Sequence, residues 1–444
     1  MSRMFGTDGV RGIANRELTA ELAFRLGQAG AKVLQTARKP RILVGQDTRL
    51  SGDMLAAALT AGICSMGAEA VLVGVLPTPG IAYLTRHYQA DAGVVISASH
   101  NPMEFNGIKF FNGQGYKLRD ELEDEIQRIV ESGDLGELPT GADVGRRVRM
   151  RNAQEDYVEF LVNSCREDLS GLYIVLDCAN GAASWVAPEV FRRLGARVDV
   201  YYDQPDGTNI NDLCGSTHPQ ALQRLVMESG ADLGLAFDGD ADRMLAVDEN
   251  GLLIDGDRIM AVCGLDMKER GELAGDTIVG TVMSNLGLHI ALEQRGIKLE
   301  TTKVGDRYVL ERMLEAHYKI GGEQSGHVIF LDYNTTGDGV LSGLMLCQVM
   351  VRKGAKLSTL ASVMRPLPQV LVNVDVSPRQ REAYPGDPEL AGLIAEVEAQ
   401  LGNRGRVLIR PSGTEPKVRV MIEGEDQEQI EAFAQRIAKK ILAL

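Results

Sequence analysis

Three stretches of this chain repeat one plan: an apolar strand, a short polar loop, an amphipathic helix, a glycine and a second apolar strand. The first runs from residues 41–45 through a helix ending near 66 to Gly67 and 70–73. The second runs from 173–176 through a helix at 185–194 to Gly195 and 198–202. The third runs from 277–279 through a helix at 286–295 to Gly296 and 298–302. A glycine after each helix suits a left-handed C-terminal cap. Two strands joined through a helix pair in parallel, with the helix on a face of the sheet. The last part of the chain departs from this plan. Residues 369–376 alternate with period two, 388–401 have helical spacing, and 406–410 and 418–422 read as strands before a final helix. Arg365-Pro366-Leu367-Pro368 is a stiffened linker ahead of them. The expected fold class is α/β: three similar α/β domains with mixed sheets over residues 1–150, 151–254 and 255–366, plus a smaller α+β domain over 367–444. The first two boundaries follow the turn-rich residues 139–143 and the hairpin-like turn at 248–251.

A chain of 444 residues exceeds what one hydrophobic core supports. Its 44% hydrophobic and 24% charged residues are those of a globular protein. No stretch reaches the roughly 18 uninterrupted apolar residues of a membrane helix. The opening residues, Met1 to Gly6, have no signal-peptide pattern. A cytoplasmic protein is therefore expected. Cys64, Cys165, Cys178, Cys214, Cys263 and Cys347 show no C-x-x-C pair and read as reduced thiols, mostly in the core. A formal charge of -14, with no basic stripe carrying aromatics, argues against nucleic acid. A small phosphorylated ligand remains compatible, since local nests of Arg, Lys and backbone N–H bind anions inside acidic proteins.

Four motifs carry chemistry. Ser97-Ala98-Ser99-His100-Asn101-Pro102 follows the apolar run 92–96, so that Ser99 is either a nucleophile or only the cap of a turn. His100 and Asn101 crowd it with polar groups, and the Gly turn at 106–110 presents Lys109, a cation that can neutralise a phosphate. Asp238, Asp240 and Asp242 alternate after a second apolar run, and carboxylates packed this densely call for a divalent cation such as Mg2+. An EF-hand loop also fits positions 1, 3, 5 and 12, counted from Asp238 to Glu249. However, Arg243 stands where the loop needs glycine, and the flanks read as strands. In residues 321–327, three glycines surround Glu323, Ser325 and His327, a set suited to gripping sugar hydroxyls and moving a proton. Finally, Arg410, Ser412, Gly413, Thr414 and Arg419 make an anion nest. His87, His218, His289 and His317 lack such context and read as surface or packing residues.

These motifs, with Phe5-Gly6-Thr7-Asp8-Gly9-Val10-Arg11-Gly12 ahead of them, occur in the order seen in the α-D-phosphohexomutase superfamily, which the whole chain resembles. Residues 5–12 and 322–327 are most similar to its bacterial branch acting on glucosamine phosphates. The resemblance implies a four-domain phosphohexomutase architecture and an isomerase-class phosphotransferase. That enzyme would interconvert glucosamine 6-phosphate and glucosamine 1-phosphate through a 1,6-bisphosphate, toward UDP-N-acetylglucosamine and cell-wall precursors. It further implies that Ser99 carries the phosphoryl group and, with Asp238, Asp240 and Asp242, binds one Mg2+ per chain. By the same resemblance Arg11 and Lys109 stabilise the transferring group, and His100 and His327 complete the catalytic set. Lys303, Gly305, Asp306, Glu323 and Ser325 match substrate loops, and Arg410, Ser412, Gly413, Thr414 and Arg419 match the phosphate loop. Phe105 departs from the family pattern, where many relatives have Asp, and bears on the local loop shape alone. A sugar 1,6-bisphosphate is the expected activator. The expected partners are a phosphorylated hexosamine and, as an open alternative to a monomer, a second copy in a homodimer; neither nucleic acid nor membrane is expected. A phosphomannomutase/phosphoglucomutase is the alternative activity, and a noncatalytic phosphosugar-binding protein the alternative from another class. The linker at 365–368 is the expected hinge over substrate.

Overall fold

The computed structural model describes residues 3–6, 9–35, 39–411 and 416–444. Two compact units emerge: Met1–Met283 with Ile297–Val363, and Ser284–Gly296 with Met364–Leu444.

The first unit is built on the threefold plan. Arg41–Gln46 lies parallel to Glu69–Val75, Tyr173–Asp177 to Arg197–Tyr201, and Thr277–Thr281 to Lys298–Thr302. Gly67, Gly195 and Gly296 all take positive φ, of 82°, 88° and 64°. The third connecting helix, Leu286–Glu293, groups with the second unit, because Leu286 N donates to Glu423 and the preceding Asn285 bonds Leu367.

The repeat extends further than the sequence pattern reveals. In each sheet a third strand runs parallel to the first, namely Ala92–Ile96, Leu233–Phe237 and Ile320–Gly322. Each is followed by an antiparallel partner: Phe105–Asn112, Met244–Asp248 and Val328–Phe330. All three sheets thus share one four-strand order, enlarged at the edges by Val10–Ile13, Arg147–Arg149 and Leu253–Ile254. The antiparallel pairs explain why the sheets are mixed. Their turns are the segments that carry Ser99, the three aspartates and the 323–327 loop. The strands that deliver these turns, Ala92–Ile96, Leu233–Phe237 and Ile320–Gly322, are buried at every position. Strands covered on both faces read as continuous apolar runs, which is why 92–96 and 233–237 stood out.

A buried polar staple ties separate parts of this unit together. Asp338 caps the helix Gly339–Lys353 by accepting from Leu341 N at 3.0 Å. Its other oxygen accepts from Tyr157 Oη at 2.7 Å and Asn334 Nδ2 at 3.1 Å, and Asn334 also donates to Pro79 O at 3.2 Å. Burial raises the Asp338 pKa, opposed by these donors.

The second unit holds an antiparallel three-stranded sheet in the order Gln369–Asp375, Lys417–Glu423, Arg406–Pro411. Helices Pro388–Leu401 and Gln427–Leu442 pack Val397, Ile430 and Ile437 against Val374, Val420 and Ile422. The α+β expectation holds, with one helix added: Pro378–Ala383, opened by a capping box of Ser377 and Gln380. Asn285 clasps the proline linker, accepting from Leu367 N at 2.9 Å and donating to Leu367 O at 3.0 Å. All six cysteines are free thiols, four of them buried. Among the described residues, no helix is long and apolar enough to cross a membrane.

Tyr157→Phe removes one donor from the fully buried Asp338 and is expected to cost about 1–3 kcal/mol of stability; the shift in urea midpoint at constant m-value measures it.

Candidate active site

The strand Ala92–Ile96 ends in a loop whose backbone is not relaxed. Ser99 adopts φ 53°, a left-handed conformation that few residues other than glycine take. Ser97 Oγ accepts from Ser99 N at 2.9 Å and donates to Asp47 Oδ2 at 2.6 Å. Ser99 caps no helix. Its Oγ donates to Asp238 Oδ2 at 2.6 Å and lies 3.3 Å from His100 Nδ1. The open choice between cap and reactive hydroxyl is thereby narrowed, since the hydroxyl faces a carboxylate across 139 positions of sequence.

That carboxylate belongs to a buried cluster. One oxygen from each of Asp238, Asp240 and Asp242 lies within 4.8 Å of the others. Asp240 Oδ2 accepts from Thr78 Oγ1 at 2.7 Å and pairs with Lys109 Nζ at 3.1 Å, and Asp238 Oδ1 accepts from Arg243 N at 3.2 Å. Asp240 Oδ1 and Asp242 Oδ1 are buried and accept no hydrogen bond. Burial, then Asp242 and Asp240, push the Asp238 carboxyl well above its usual range. Burial also acts to raise Asp242, yet His327, Lys109 and Arg243 hold it below the usual range. Buried carboxylate oxygens without donors are costly, and this hard-oxygen set fits Mg2+, leaving room in an octahedral shell for a phosphate oxygen. Glu249 turns away to the backbone and hydroxyl of Ser358, and strands flank the loop, as expected for a site that is not an EF-hand.

Cations and imidazoles surround the cluster. Lys109 is 2% exposed and stays in register on Phe105–Asn112 opposite Val95, despite Phe105. Arg11, on Val10–Ile13, lies close enough to His100 to depress its pKa. Burial first, then Arg243 and Arg11, lower His100 to about 4, and Arg243 Nη1 donates to its Nδ1 at 3.1 Å. His327 sits between Asp242 (Nδ1 to Oδ2, 3.4 Å) and Asp306 (Nε2 to Oδ2, 3.5 Å). Gly337 N donates to His327 Nε2 at 3.0 Å, which leaves Nδ1 to carry the proton of the neutral ring. Burial lowers the His327 pKa, but Asp242 and Asp306 outweigh it and raise the value. Asp306 also pairs with Lys117. Glu323 accepts from Gly305 N at 3.0 Å, joining the loops at 303–306 and 323–327, while Ser325 and Lys303 are exposed. His87 stacks on Tyr83 and His317 caps a helix, in keeping with packing roles.

In the second unit Arg410 and Arg419 are direct cross-strand partners. Two like charges so placed destabilise a sheet unless an anion lies between them, and burial, then Arg419, lowers the Arg410 pKa. Ser412, Gly413 and Thr414 lie outside the described residues.

Family models for phosphoglucomutase/phosphomannomutase match in succession: α/β/α domain I over residues 2–137, domain II over 155–251, domain III over 255–367 and the C-terminal domain over 371–440. Over 443 residues the chain is 61% identical to a phosphoglucosamine mutase of Clostridium acetobutylicum, with 99% of each chain covered. The chain belongs to the phosphoglucosamine mutase family. Members of that family are phosphohexomutases, enzymes of the isomerase class. A solved phosphoglucomutase/phosphomannomutase family protein from Burkholderia thailandensis superposes with a TM-score of 0.84 at 25% identity, over 99% of this chain and 98% of the other. The fold is shared at 18% identity by an Aspergillus fumigatus N-acetylphosphoglucosamine mutase, solved with GlcNAc-6P and magnesium (TM-score 0.71, covering 98% and 95%). The family architecture corresponds to the three mixed α/β sheets and the smaller α+β sheet described above.

Five residues around this family site escape sequence reasoning: Asp47, Arg49, Thr78, Lys117 and Asn211. Asp47 and Arg49 had a readable signal, a D-x-R directly after the strand Arg41–Gln46. Thr78, Lys117 and Asn211 had none, because only folding brings Thr78 to Asp240, Lys117 to Asp306 and Asn211 to the serine loop.

Two outcomes follow from the electrostatics. Mg2+ at about 100 times its Kd stabilises the folded state by about 2.7 kcal/mol, so the melting temperature rises with Mg2+, and Asp242→Asn loses most of that rise. The folded-state pKa of His100 lies below its unfolded value near 6.5, so the unfolded chain binds the extra proton. Stability therefore falls as pH drops from about 6.5 toward 4; His100→Asn flattens that part of a urea-midpoint profile.

Proposed function

We propose that the chain interconverts glucosamine 6-phosphate and glucosamine 1-phosphate, with Ser99 as the carrier of the phosphoryl group. The observation that carries this reading is the Ser99 hydroxyl hydrogen-bonded to one member of a buried three-aspartate cluster. Family membership supplies the reaction class.

In this mechanism phospho-Ser99 donates to the free hydroxyl of the hexosamine phosphate. The hydroxyl oxygen forms a bond to phosphorus as the bond from phosphorus to Ser99 Oγ breaks, and the hydroxyl proton passes to His327 Nε2, which gives up its hydrogen bond from Gly337 N and faces Asp306 Oδ2 at 3.5 Å. The resulting 1,6-bisphosphate reorients. Ser99 Oγ then attacks its other phosphate, the bond to the sugar oxygen breaks, and that oxygen takes the proton back. Asp238, Asp240, Asp242 and the Ser99 phosphate would hold one Mg2+, which would supply charge neutralisation. Lys109 and Arg11 offset further charge on the transferring group. Paired with Asp240 in a buried setting, Lys109 is preorganised for that task. His100, held neutral by burial and Arg243, adds no positive charge beside Ser99 but shapes its surroundings. Glu323, Ser325, Lys303, Gly305 and Asp306 are assigned to the sugar. Arg410, Ser412, Gly413, Thr414 and Arg419 are assigned to the phosphate at its far end, which is equivalent in the two orientations. The four domains are taken as 1–150, 151–254, 255–366 and 367–444. A cytoplasmic location and activation by a sugar 1,6-bisphosphate complete the proposal.

Coupled turnover of the purified protein with Mg2+ and trace glucose 1,6-bisphosphate tests it, comparing glucosamine 6-phosphate with glucose and mannose phosphates. The expected result is preference for the amino sugar, a phosphoryl mass increment that is absent in Ser99→Ala, and a loss of roughly a thousandfold or more in kcat for that variant. Preference for a hydroxyl sugar would move the substrate to the phosphomannomutase/phosphoglucomutase alternative. Full turnover by Ser99→Ala would end the phosphoserine mechanism.

A further inference from the structure

The left-handed backbone of Ser99 is held from both sides by groups that the proposed mechanism does not use. The Ser99 carbonyl accepts from Arg49 Nη2 at 2.9 Å and from Asn211 Nδ2 at 2.9 Å. Two residues on, the Asn101 carbonyl accepts from the same two nitrogens at 2.7 and 3.1 Å. Arg49 Nη1 donates to Pro102 O, and Arg49 Nε to Asp47 Oδ2 at 2.9 Å. The Asp47 oxygen that receives Arg49 also accepts from Ser97 Oγ, which in turn receives Ser99 N. Both the N–H and the C=O of Ser99 are therefore tied into one network around a wholly buried Arg49–Asp47 pair.

Three features separate this arrangement from ordinary packing. Every guanidinium nitrogen of Arg49 is committed to Asp47 or to a serine-loop carbonyl, through four of its five N–H groups. The two clamping side chains come from different sheets: Arg49 follows the strand Arg41–Gln46 and Asn211 follows Arg197–Tyr201. Gly239, inside the aspartate loop, leaves the space they need. A Cβ there would lie 2.6 Å from the Ser99 carbonyl oxygen and 2.8 Å from Asn211 Nδ2.

We propose that Arg49 and Asn211 are positioning residues that clamp the Ser99 and Asn101 carbonyls, hold Ser99 in its left-handed conformation and thereby aim its Oγ at Asp238 and the reacting phosphorus. The inference rests on the reading of Ser99 as phosphoryl carrier. An unclamped loop relaxes toward ordinary backbone angles and carries the hydroxyl away, and misplacement by about 1 Å costs on the order of a hundredfold in rate.

The test uses Asn211→Gly, which keeps the φ of 58° without strain and adds no charge, together with Arg49→Lys. Folding is checked by thermal melting. The rate of Ser99 phosphorylation from glucose 1,6-bisphosphate is followed by intact mass, alongside steady-state kcat and KM. For folded Asn211→Gly, phosphorylation rate and kcat are expected to fall together by about 10- to 100-fold, with KM within about twofold because the clamp touches no substrate. Arg49→Lys is expected to follow where it folds, and Asn211→Gly decides where it does not. Wild-type phosphorylation and kcat in the folded variant would overturn the clamp, as would a raised KM at unchanged kcat. Wild-type protein that never gains a phosphoryl group on Ser99 would instead overturn the reading on which the clamp depends.

Discussion

Three carboxylates crowded into a buried turn are the constraint around which the first unit is arranged. Removed from water, Asp238, Asp240 and Asp242 repel one another and are individually costly to charge. The surroundings respond to that cost. Lys109 and Thr78 reach Asp240, Ser99 and the Arg243 backbone reach Asp238, and His327 stands beside Asp242. Two of their oxygens, Asp240 Oδ1 and Asp242 Oδ1, are left without hydrogen-bond donors. Compensation is partial by construction. A fully neutralised cluster would have no use for a metal, and an uncompensated one would protonate or unfold.

The groups that meet at the cluster are far apart in the chain, and the repeated sheet brings them together. Each of the three sheets ends its central parallel strand in an antiparallel turn, and Ser99, the three aspartates and residues 323–327 sit in those turns. A turn after a fully buried strand is well anchored at its base, so strained conformations such as Ser99 at φ 53° and Ala241 at φ 54° persist there. The Arg49–Asp47 pair extends the same logic into the backbone. A buried ion pair is a weak source of net stability, but one whose remaining donors grip neighbouring carbonyls sets geometry. Asp306, shared between Lys117 and His327, likewise couples the start of the helix Asp306–Ala316 to the imidazole.

Much of the fold was legible in the chain because its signals are local. The three strand–helix–glycine–strand copies, the alternation of 369–376 and the helix at 388–401 are patterns of neighbouring residues, and the strands and helices form where those patterns lie. The candidate site was legible wherever chemistry is concentrated in a few consecutive positions, as at 97–102, 238–243 and 321–327. The helix Pro378–Ala383 went unread, since a six-residue helix set by a single capping box has no periodicity to detect. The placement of Leu286–Glu293 also went unread: its capping by Asn285 is local, but its bonds to Leu367 and Glu423 span about 80 to 140 positions.

By itself the sequence determined the α/β class, the threefold plan, the family and the motifs that make up the candidate site, because each depends on short-range pattern or on side-chain chemistry. Tertiary structure alone decided that Ser99 faces Asp238 rather than capping a helix, that Asn211 and Arg49 hold its carbonyl, and that His327 lies between two carboxylates. Those facts depend on distances between residues about 20 to 140 positions apart, and only the packing of buried strands sets such distances.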